Sequence, residues 1–219
     1  MIIYNPGSQQ LIQERLELAE ELLNQISAKY CFITGSFLYK EHYQDIDIFV
    51  VTRSKKEIKL SHPQAKVTIL DFNDLSSLFY HALIKSCLAT TFLPVKPLKV
   101  TLSDYWHIIN EAIPTLLNQK NRYHKDIRFL ILYTEYFKSG IILDTFQLDF
   151  KIKEFKIYQD ILRYLEKNIP ELMHKKMERS YLKRFFYTQA GYYADLQEYP
   201  AQRFLYDLTH RITRGISNG

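Results

Sequence analysis

Two aspartates and a Gly-Ser pair are the residues of this sequence best suited to chemistry. Asp45 and Asp47 open an alternating polar and apolar run, and eight residues separate them from Gly35-Ser36, which ends an apolar run. In a strand, residues two apart project from the same face, so both carboxylates point the same way. They repel each other unless a cation lies between them. Carboxylate and phosphate oxygens favour Mg²⁺ or Mn²⁺, which we therefore expect as the cofactor.

The Gly35-Ser36 pair is suited to binding a phosphate group. Glycine permits a close backbone approach and an unusual turn. Ser36 is expected to open a helix or turn whose free N–H groups point outward, where they attract anions. A phosphate-binding turn beside a metal ion held by carboxylates provides the groups that phosphoryl or nucleotidyl transfer needs.

The Gly-Ser pair, the spacer and Asp-Ile-Asp between two strands resemble the nucleotidyltransferase superfamily of the DNA polymerase β type. The small bacterial and archaeal members, among them the minimal nucleotidyltransferases and the nucleotidyltransferase toxins, are the relatives that this resemblance suggests. The resemblance covers about residues 20–90. It implies that Gly35 and Ser36 hold the triphosphate of a nucleoside triphosphate and that Asp45 and Asp47 bind the metals. It also implies a sheet packed on helices, a helical substrate-binding region, and an antitoxin or a second copy of the chain as a partner.

A third carboxylate is usual in that family, on the next strand, and its place here is open. The strand is predicted over 66–72, where Lys66 or Thr68 takes the early position and Asp71 lies late. Asp71 either completes the metal site or starts the following turn, and Glu57 is a poorer substitute. An acidic group near the pair favours an enzyme. A cation such as Lys66 favours a catalytically silent nucleotide-binding, RNA-binding or regulatory module.

The elements that must position these residues follow from periodicity. Apolar residues at helical spacing predict a helix over 9–29, and short β-rich runs predict strands over 30–34, 45–51 and 66–72. A further helix is predicted from 73 to about 88. The first 100 residues therefore predict a small mixed sheet packed on helices, as a nucleotidyltransferase-like domain.

Strand signals almost vanish beyond residue 100. Helices are predicted over 104–119, 122–139, 154–168 and 170–198, and Pro200 is expected to open a fifth. The fold class is thus α+β, with an all-helical substrate-binding domain over 101–219.

A basic stripe on the predicted fourth helix is a candidate binding surface. Lys176, Arg179 and Lys183 recur at helical spacing among aromatic residues, a pattern that can bind a phosphate chain and stack bases. The alternative is a solvated helix face. The acceptor of transfer is expected to be RNA, especially tRNA, while a protein side chain or a small hydroxylated molecule also fits the fold.

Arg203 and His210 provide another hypothesis. Their spacing resembles the Arg and His motif of helical RNases that accompany minimal nucleotidyltransferases, although Phe204 replaces the usual polar residue. As an RNase, the chain would need a dimer that brings two motifs together.

The composition of the 219 residues is that of a globular protein with a net charge of +5. Its two cysteines, Cys31 and Cys87, lie in apolar stretches, which predicts buried thiols in a reducing compartment. The apolar runs are too short to span a bilayer, and the first residues lack a secretory signal. A cytoplasmic protein without a membrane partner is expected.

Overall fold

The computed structural model describes residues 1–4, 9–54, 56–176, 179–194 and 199–217. These residues form five strands: β1 (Ile2–Tyr4), β2 (Tyr30–Thr34), β3 (Ile46–Val51), β4 (Ala65–Leu70) and β5 (Cys87–Ala89). They also form eight α-helices: α1 (Gln9–Asn24), α2 (Leu78–Leu83), α3 (Leu102–Gln119), α4 (Lys125–Ser139), α5 (Thr145–Glu154), α6 (Tyr158–Lys176), α7 (Arg179–Ala194) and α8 (Pro200–Ser217). The α+β class, with a helical C-terminal region, is confirmed.

The chain divides into two compact units. The first contains Met1–Val100 and Ile142–Asp149, and the second contains Thr101–Ile141 and Phe150–Gly219. The segment Ile142–Asp149, called the returning segment below, belongs to the first unit. The sequence predicted instead that all of 101–219 forms the second domain. The place of the returning segment in the first unit has a physical cause, because the Lys85 ammonium donates to the Ile142 carbonyl over 2.6 Å and Asp149 is bound by side chains of that unit.

The sheet of the first unit has the strand order β1-β5-β2-β3-β4. Strands β3 and β4 are parallel, and the other neighbours are antiparallel. Ile46, Ile48 and Val50 of β3 belong to an apolar cluster with residues of α1, while Phe49 and Val51 belong to a cluster with residues of α2. Apolar side chains therefore bury both faces of β3, and this burial fixes which of its faces each polar residue occupies.

Strands β1 and β5 were not expected from the sequence. Each has three residues, which is too short for a periodic signal, and β5 occupies the predicted end of a helix that was to begin at residue 73. That helix is instead the 3₁₀ turn Asp74–Ser76 followed by α2, whose start is capped by the Ser77 hydroxyl accepting from the Tyr80 N–H over 3.1 Å.

In the second unit, α6 runs through Pro170, where the sequence predicted a break. Proline lacks the N–H that an interior helical residue donates, which weakens the helix locally. The helix continues because an apolar stripe on both sides of Pro170 is buried, including Leu165, Ile169 and Leu172. Pro200 begins α8, as predicted.

Both cysteines are buried and free, as predicted. Burial raises the pKa of Cys87 to about 12 and also raises that of Cys31. Among the described helices, none has the length and apolar character needed to cross a membrane.

Candidate functional site

Strand pairing brings the Gly-Ser pair to the aspartates. Thr34, the last residue of β2, pairs with Asp47 near the start of β3, so Gly35 follows directly beside that carboxylate. Gly35 has φ +85° and ψ −160°, a conformation essentially restricted to glycine. A Cβ at this position would lie 2.7 Å from Oδ2 of Asp47. The close approach expected of Gly35 is therefore an approach to the carboxylate itself.

Ser36 opens a single 3₁₀ turn, Ser36–Leu38. The hydrogen bonds of the turn begin with the N–H of Leu38, which donates to the Gly35 carbonyl over 3.0 Å. Phe37 and Leu38 are buried in the core next to α1. These buried side chains fix the turn, so Gly35 and Ser36 are held at a defined place next to Asp47.

Arg15 of α1 also holds this turn, a role that the sequence did not reveal. Its guanidinium donates to the carbonyls of Phe37, of Lys40 over 2.7 Å and of Glu41 over 3.0 Å. It also lies over the rings of Phe37 and Tyr43, at 5.2 and 4.9 Å from their centroids. An arginine in an amphipathic helix carries no sequence signal of such contacts, which join residues more than 20 positions apart.

A buried carboxylate holds the end of the same turn. Asp149 is 3% exposed, and its Oδ2 accepts from the Tyr39 hydroxyl over 2.7 Å and lies 2.9 Å from Nζ of Lys40. A buried charge needs such partners to offset the loss of water. The contact joins the returning segment to the residues that follow Ser36, and it too escaped the sequence reasoning.

The two aspartates share one face of the strand, as predicted. Ile46 and Ile48 are fully buried on the opposite face, whereas Asp45 and Asp47 are half-buried. The alternation of Asp-Ile-Asp-Ile thus presents both carboxylates on the side of the sheet away from α1.

Lys66 lies directly beside the aspartate pair. In the parallel register of β3 and β4 it is opposite Asp47, and its Nζ lies 2.5 Å from Oδ2 of Asp45. The hydrogen bond and the charge of Asp45, with a smaller contribution from Asp47, raise the pKa of Lys66. Since the lysine side chain is 68% exposed, water screens this ion pair. The ammonium of Lys66 therefore offsets part of the repulsion between the two carboxylates. From the sequence, a metal ion was expected to offset it.

Asp71 does not join the pair. It lies five residues beyond Lys66, just past the other end of β4, which at ~3.3 Å per residue is about 16 Å away along the strand. Its carboxylate accepts from the Asn73 N–H over 2.8 Å, and its own N–H donates to Asp74 over 2.7 Å. Asp71 therefore starts a turn, the alternative role considered for it.

Thr68 and Glu57, the other residues considered for the position of the third carboxylate, do not add a carboxylate to the pair. Thr68 lies on the same sheet face as Lys66, opposite Phe49. Glu57 is highly exposed, and its carboxylate lies 3.6 Å from the ammonium of Lys59. Within the described part of the chain, no group of three or more His, Cys, Asp or Glu side chains is arranged to hold a metal ion. Two carboxylates nevertheless fit Mg²⁺, which proteins bind through one or two carboxylates together with substrate phosphates.

The predicted basic stripe in the second unit is described only in part. Lys176 is exposed in the last turn of α6, and neighbouring Lys175 pairs with Glu171 at 2.9 Å. The side chains of Arg179 and Lys183 lie outside the described residues. The role of these three residues in binding stays a prediction.

Helix α8 presents a groove of mixed polar and aromatic side chains. The groove encloses about 360 Å³ and is lined by Tyr206, Asp207, His210, Arg211 and Arg214. The rings of Tyr206 and His210 are 4.2 Å apart, and Arg211 lies 3.5 Å from the Glu166 carboxylate. His210 of the RNase hypothesis therefore lines the same groove as Arg211 and Arg214, while Arg203 is exposed two turns earlier on α8. Guanidinium groups beside an aromatic ring are suited to a phosphate chain with unstacked bases.

Net charge is distributed unevenly between the two units. The second unit contains 18 Lys and Arg against 12 Asp and Glu, whereas the first contains 11 against 12. The basic excess of the protein therefore belongs to the helical unit, which is the unit expected to bind a polyanion.

Scanning protein-family models, curated proteins and solved structures gave no match to this chain. The resemblance to nucleotidyltransferases therefore depends on the Gly-Ser turn, the aspartate pair and their geometry.

Proposed function

We propose that the protein is a metal-dependent nucleotidyltransferase that moves a nucleoside monophosphate from a nucleoside triphosphate to an acceptor hydroxyl, releasing pyrophosphate. The observation that carries this proposal is the contact between Gly35 and Asp47. A glycine-only conformation places the Gly-Ser turn against a carboxylate, at the strand end where a second carboxylate lies. This arrangement supports the proposal because it would place a phosphate-binding turn beside a site for a hard cation.

The residues of the site divide the work. Asp45 and Asp47 would hold Mg²⁺ or Mn²⁺, which when bound neutralises charge on the phosphate oxygens. The Gly35-Ser36 turn binds the triphosphate, and Arg15 keeps the turn in place through its carbonyls. The acceptor oxygen attacks the α-phosphorus in line, so that a new P–O bond forms as the bond to pyrophosphate breaks.

Lys66 is compatible with this function. Its side chain is mostly exposed, and exposed ion pairs are weak because water screens them. The ammonium can therefore leave Asp45 for a triphosphate oxygen when a nucleotide binds.

RNA, in particular tRNA, is the proposed acceptor. The helical unit holds the basic excess of the chain, and the α8 groove places Arg211 and Arg214 beside the rings of Tyr206 and His210. Lys176, Arg179 and Lys183 remain the further residues of the helical unit that the proposal assigns to binding the same phosphate chain. A cytoplasmic location belongs to the same proposal, since buried free thiols and an RNA substrate both fit it.

A second candidate is a catalytically silent module that binds nucleotide or RNA, as a regulatory or toxin–antitoxin partner. The ion pair of Lys66 with Asp45 favours it, because a cation at the pair was the feature expected of a binder. The distance of Asp71 from the pair points the same way.

Transfer of labelled nucleotide separates the two candidates. The purified protein is incubated with each α-³²P nucleoside triphosphate, Mg²⁺ or Mn²⁺, and total RNA. We expect label in RNA, and expect the Asp45→Asn/Asp47→Asn variant to abolish it. Asp71→Asn is the matched control, since an asparagine keeps the turn's acceptor oxygen and lies at the far end of β4; it is expected to transfer label normally.

Each contrary outcome has a distinct meaning. Nucleotide binding without transfer to RNA or to protein would favour the silent module. Loss of transfer in Asp71→Asn would show that Asp71 acts in the site after all.

A further inference from the structure

The loop between α3 and α4 carries a basic surface to which the proposed function assigns no role. The loop covers residues 120–124 of the second unit. The two helices are joined next to it, because the Thr115 hydroxyl of α3 donates to the Asp126 carboxylate of α4 over 3.0 Å. Three cations and one aromatic residue, from the loop and the start of α4, are called the corner surface: Lys120, Arg122, Tyr123 and Lys125.

The cations of the corner surface take part in none of the ion pairs found in the described part of the chain. Asp126 is the one acidic residue in the sequence of 119–128, and its carboxylate already lies 3.3 Å from Nδ1 of His124. Lys120 and Lys125 are exposed. Because no carboxylate offsets these charges, the surface attracts anions.

One nitrogen of Arg122 lacks a partner. The guanidinium lies over the ring of Tyr123, at 5.0 Å from its centroid, and Nη1 is buried without a hydrogen-bond acceptor in the described part of the chain. A buried cationic N–H without an acceptor is unfavourable, since it has lost water and gained no partner. The side chain as a whole is only half-buried. A ligand that offers an oxygen therefore removes this cost and favours an arginine that turns outward.

We propose that the corner surface binds a single strand of RNA, with phosphates on its cations and a base on Tyr123. This inference rests on the proposed function, of which it uses the RNA acceptor alone. Tyr123 is 41% exposed, and Arg122 covers one face of its ring. When Arg122 turns to a phosphate, that face becomes available to a base, so phosphate binding and stacking support each other. Basic side chains combined with aromatic rings are the means by which proteins bind single strands.

The tyrosine distinguishes RNA from other anions. An acidic peptide or a phosphate chain without bases would contact the cations and leave the ring of Tyr123 unused, whereas RNA uses both. Two polymers therefore test the surface. One is a short fluorescent single-stranded RNA of mixed sequence, and the other is inorganic polyphosphate, which carries the charge without the bases.

Fluorescence anisotropy measures the binding of the RNA, and its displacement by polyphosphate gives the affinity for that polymer. Arg122→Gln/Lys125→Gln should bind both polymers about tenfold more weakly at physiological salt and lower the salt-dependence slope by about one for each cation removed. Tyr123→Leu should bind the RNA about fivefold more weakly, because a stacking face is gone, and should bind polyphosphate as the wild type does.

Lys153→Gln/Lys167→Gln is the matched control. Both lysines are exposed helix residues of the same unit, so this variant removes the same charge at other positions. It should bind both polymers nearly as the wild type does. Circular dichroism should show that all variants fold.

The failures are distinguishable. Corner variants that match the control would overturn the role of the corner surface and leave transfer to RNA standing. Normal RNA binding by Tyr123→Leu, with both polymers weakened in Arg122→Gln/Lys125→Gln, would overturn the assignment to RNA in favour of an anion without bases. Absence of RNA binding by the wild type would overturn both the corner surface and the RNA acceptor of the proposed function.

Discussion

The two units differ in charge and in the kind of side chain that each places where chemistry can occur. The first unit is nearly neutral and concentrates a glycine turn, two aspartates and one lysine at a single strand end. The second has an excess of six basic residues and presents a groove of arginine, histidine and tyrosine on α8. Under the proposed function, the two units would bind different ligands, with metal and triphosphate in the first unit and a longer polyanion in the second.

Two glycines show the same difference on a smaller scale. Gly35 and Gly140 both have positive φ, at 85° and 75°. Gly140 ends α4, and a Cβ there would meet nothing within 4 Å. Glycine is therefore required at this position only because the helix end adopts a left-handed backbone conformation. At Gly35 the missing Cβ also makes room for the carboxylate of Asp47. One glycine terminates a helix, and the other makes room for a carboxylate of the candidate site.

The largest effect is expected from Gly35→Ala. The residue would be strained by about 1–3 kcal/mol in its present conformation, and its Cβ would displace Asp47. Because a displacement of about 1 Å in a reacting group can cost about 100-fold in rate, we expect nucleotidyl transfer to fall at least that far. Urea unfolding and the labelled-nucleotide assay measure the two effects.

Gly140→Ala provides the matched control in the other unit. It should lower the free energy of unfolding by about 1–2 kcal/mol through its left-handed conformation and leave nucleotide transfer unchanged at temperatures where the protein is folded. Equal losses of transfer in the two variants would mean that Gly35 acts through stability alone.

Arg15→Met is expected to have the next largest effect. Its guanidinium binds three carbonyls that follow Ser36, and charged hydrogen bonds each contribute about 1.5–3 kcal/mol when their loss leaves groups unpaired. These carbonyls are partly exposed and can turn to water, so we expect a net loss of about 1–3 kcal/mol and about tenfold weaker binding of a nucleotide analogue, measured by calorimetry. Arg53→Met is the control, since Arg53 contacts only the ring of Phe72 among the interactions described for it. Unchanged nucleotide affinity in Arg15→Met would show that the turn holds its shape without the arginine.

The strand that carries the aspartates could be predicted because its alternation has a physical cause. Ile46 and Ile48 must face a core, and so Asp45 and Asp47 must share the other face. The same alternation does not reveal the neighbours of the strand. Parallel pairing with β4 places Lys66 opposite Asp47, and this register, rather than spacing along the chain, sends Asp71 to the far end.

Contacts between distant residues account for most of what the sequence did not reveal. Arg15 and Asp149 reach the residues after Ser36 from separations of more than 20 and more than 100 positions. Strands of three residues carry too little pattern to detect, and β1 and β5 gain their stability from pairing with each other and with β2. Local pattern therefore predicted the elements that bury long stripes, and long-range pairing determined the rest.

Substitutions in the α8 groove test the polyanion binding proposed for the second unit. Replacing Arg211 and Arg214 by alanine should weaken binding of a single-stranded RNA about tenfold at physiological salt and lower the salt-dependence slope by about two. Fluorescence anisotropy over a series of salt concentrations measures both quantities. Lys56→Ala/Lys59→Ala removes the same charge from the first unit and should change neither the slope nor the affinity appreciably. Similar losses of RNA affinity in both double variants would mean that the groove contributes only through net charge.

The smallest effect concerns the free energy of unfolding and one buried ionisable group in each unit. It is absent at neutral pH and begins only at alkaline pH. Burial raises the pKa of Cys87 to about 12 in the first unit and raises the pKa of Tyr105 in the second. Above pH ~9 the unfolded chain releases the thiol proton while the folded chain keeps it. The free energy of unfolding should therefore fall by about 1.4 kcal/mol per pH unit from this thiol between pH ~9 and its folded pKa, and should be independent of it below pH ~9.

Urea unfolding from pH 8 to 11.5 measures this slope. Cys87→Ala should make it shallower, whatever the variant does to stability at pH 8, because the proton that causes the slope is gone. Tyr105→Phe should leave the slope below pH ~10 unchanged and reduce the steeper part above it, since an unfolded tyrosine loses its proton there. Burial also raises the pKa values of Tyr80, Tyr133 and Tyr164, so these residues keep the rest of the steeper part. The pH at which the loss begins thus separates the thiol from the buried tyrosines, of which Tyr80 lies in the same unit as Cys87. An unchanged slope in Cys87→Ala would mean that the thiol gives up its proton as readily in the folded chain as in the unfolded one, and that water reaches the sheet beneath β5.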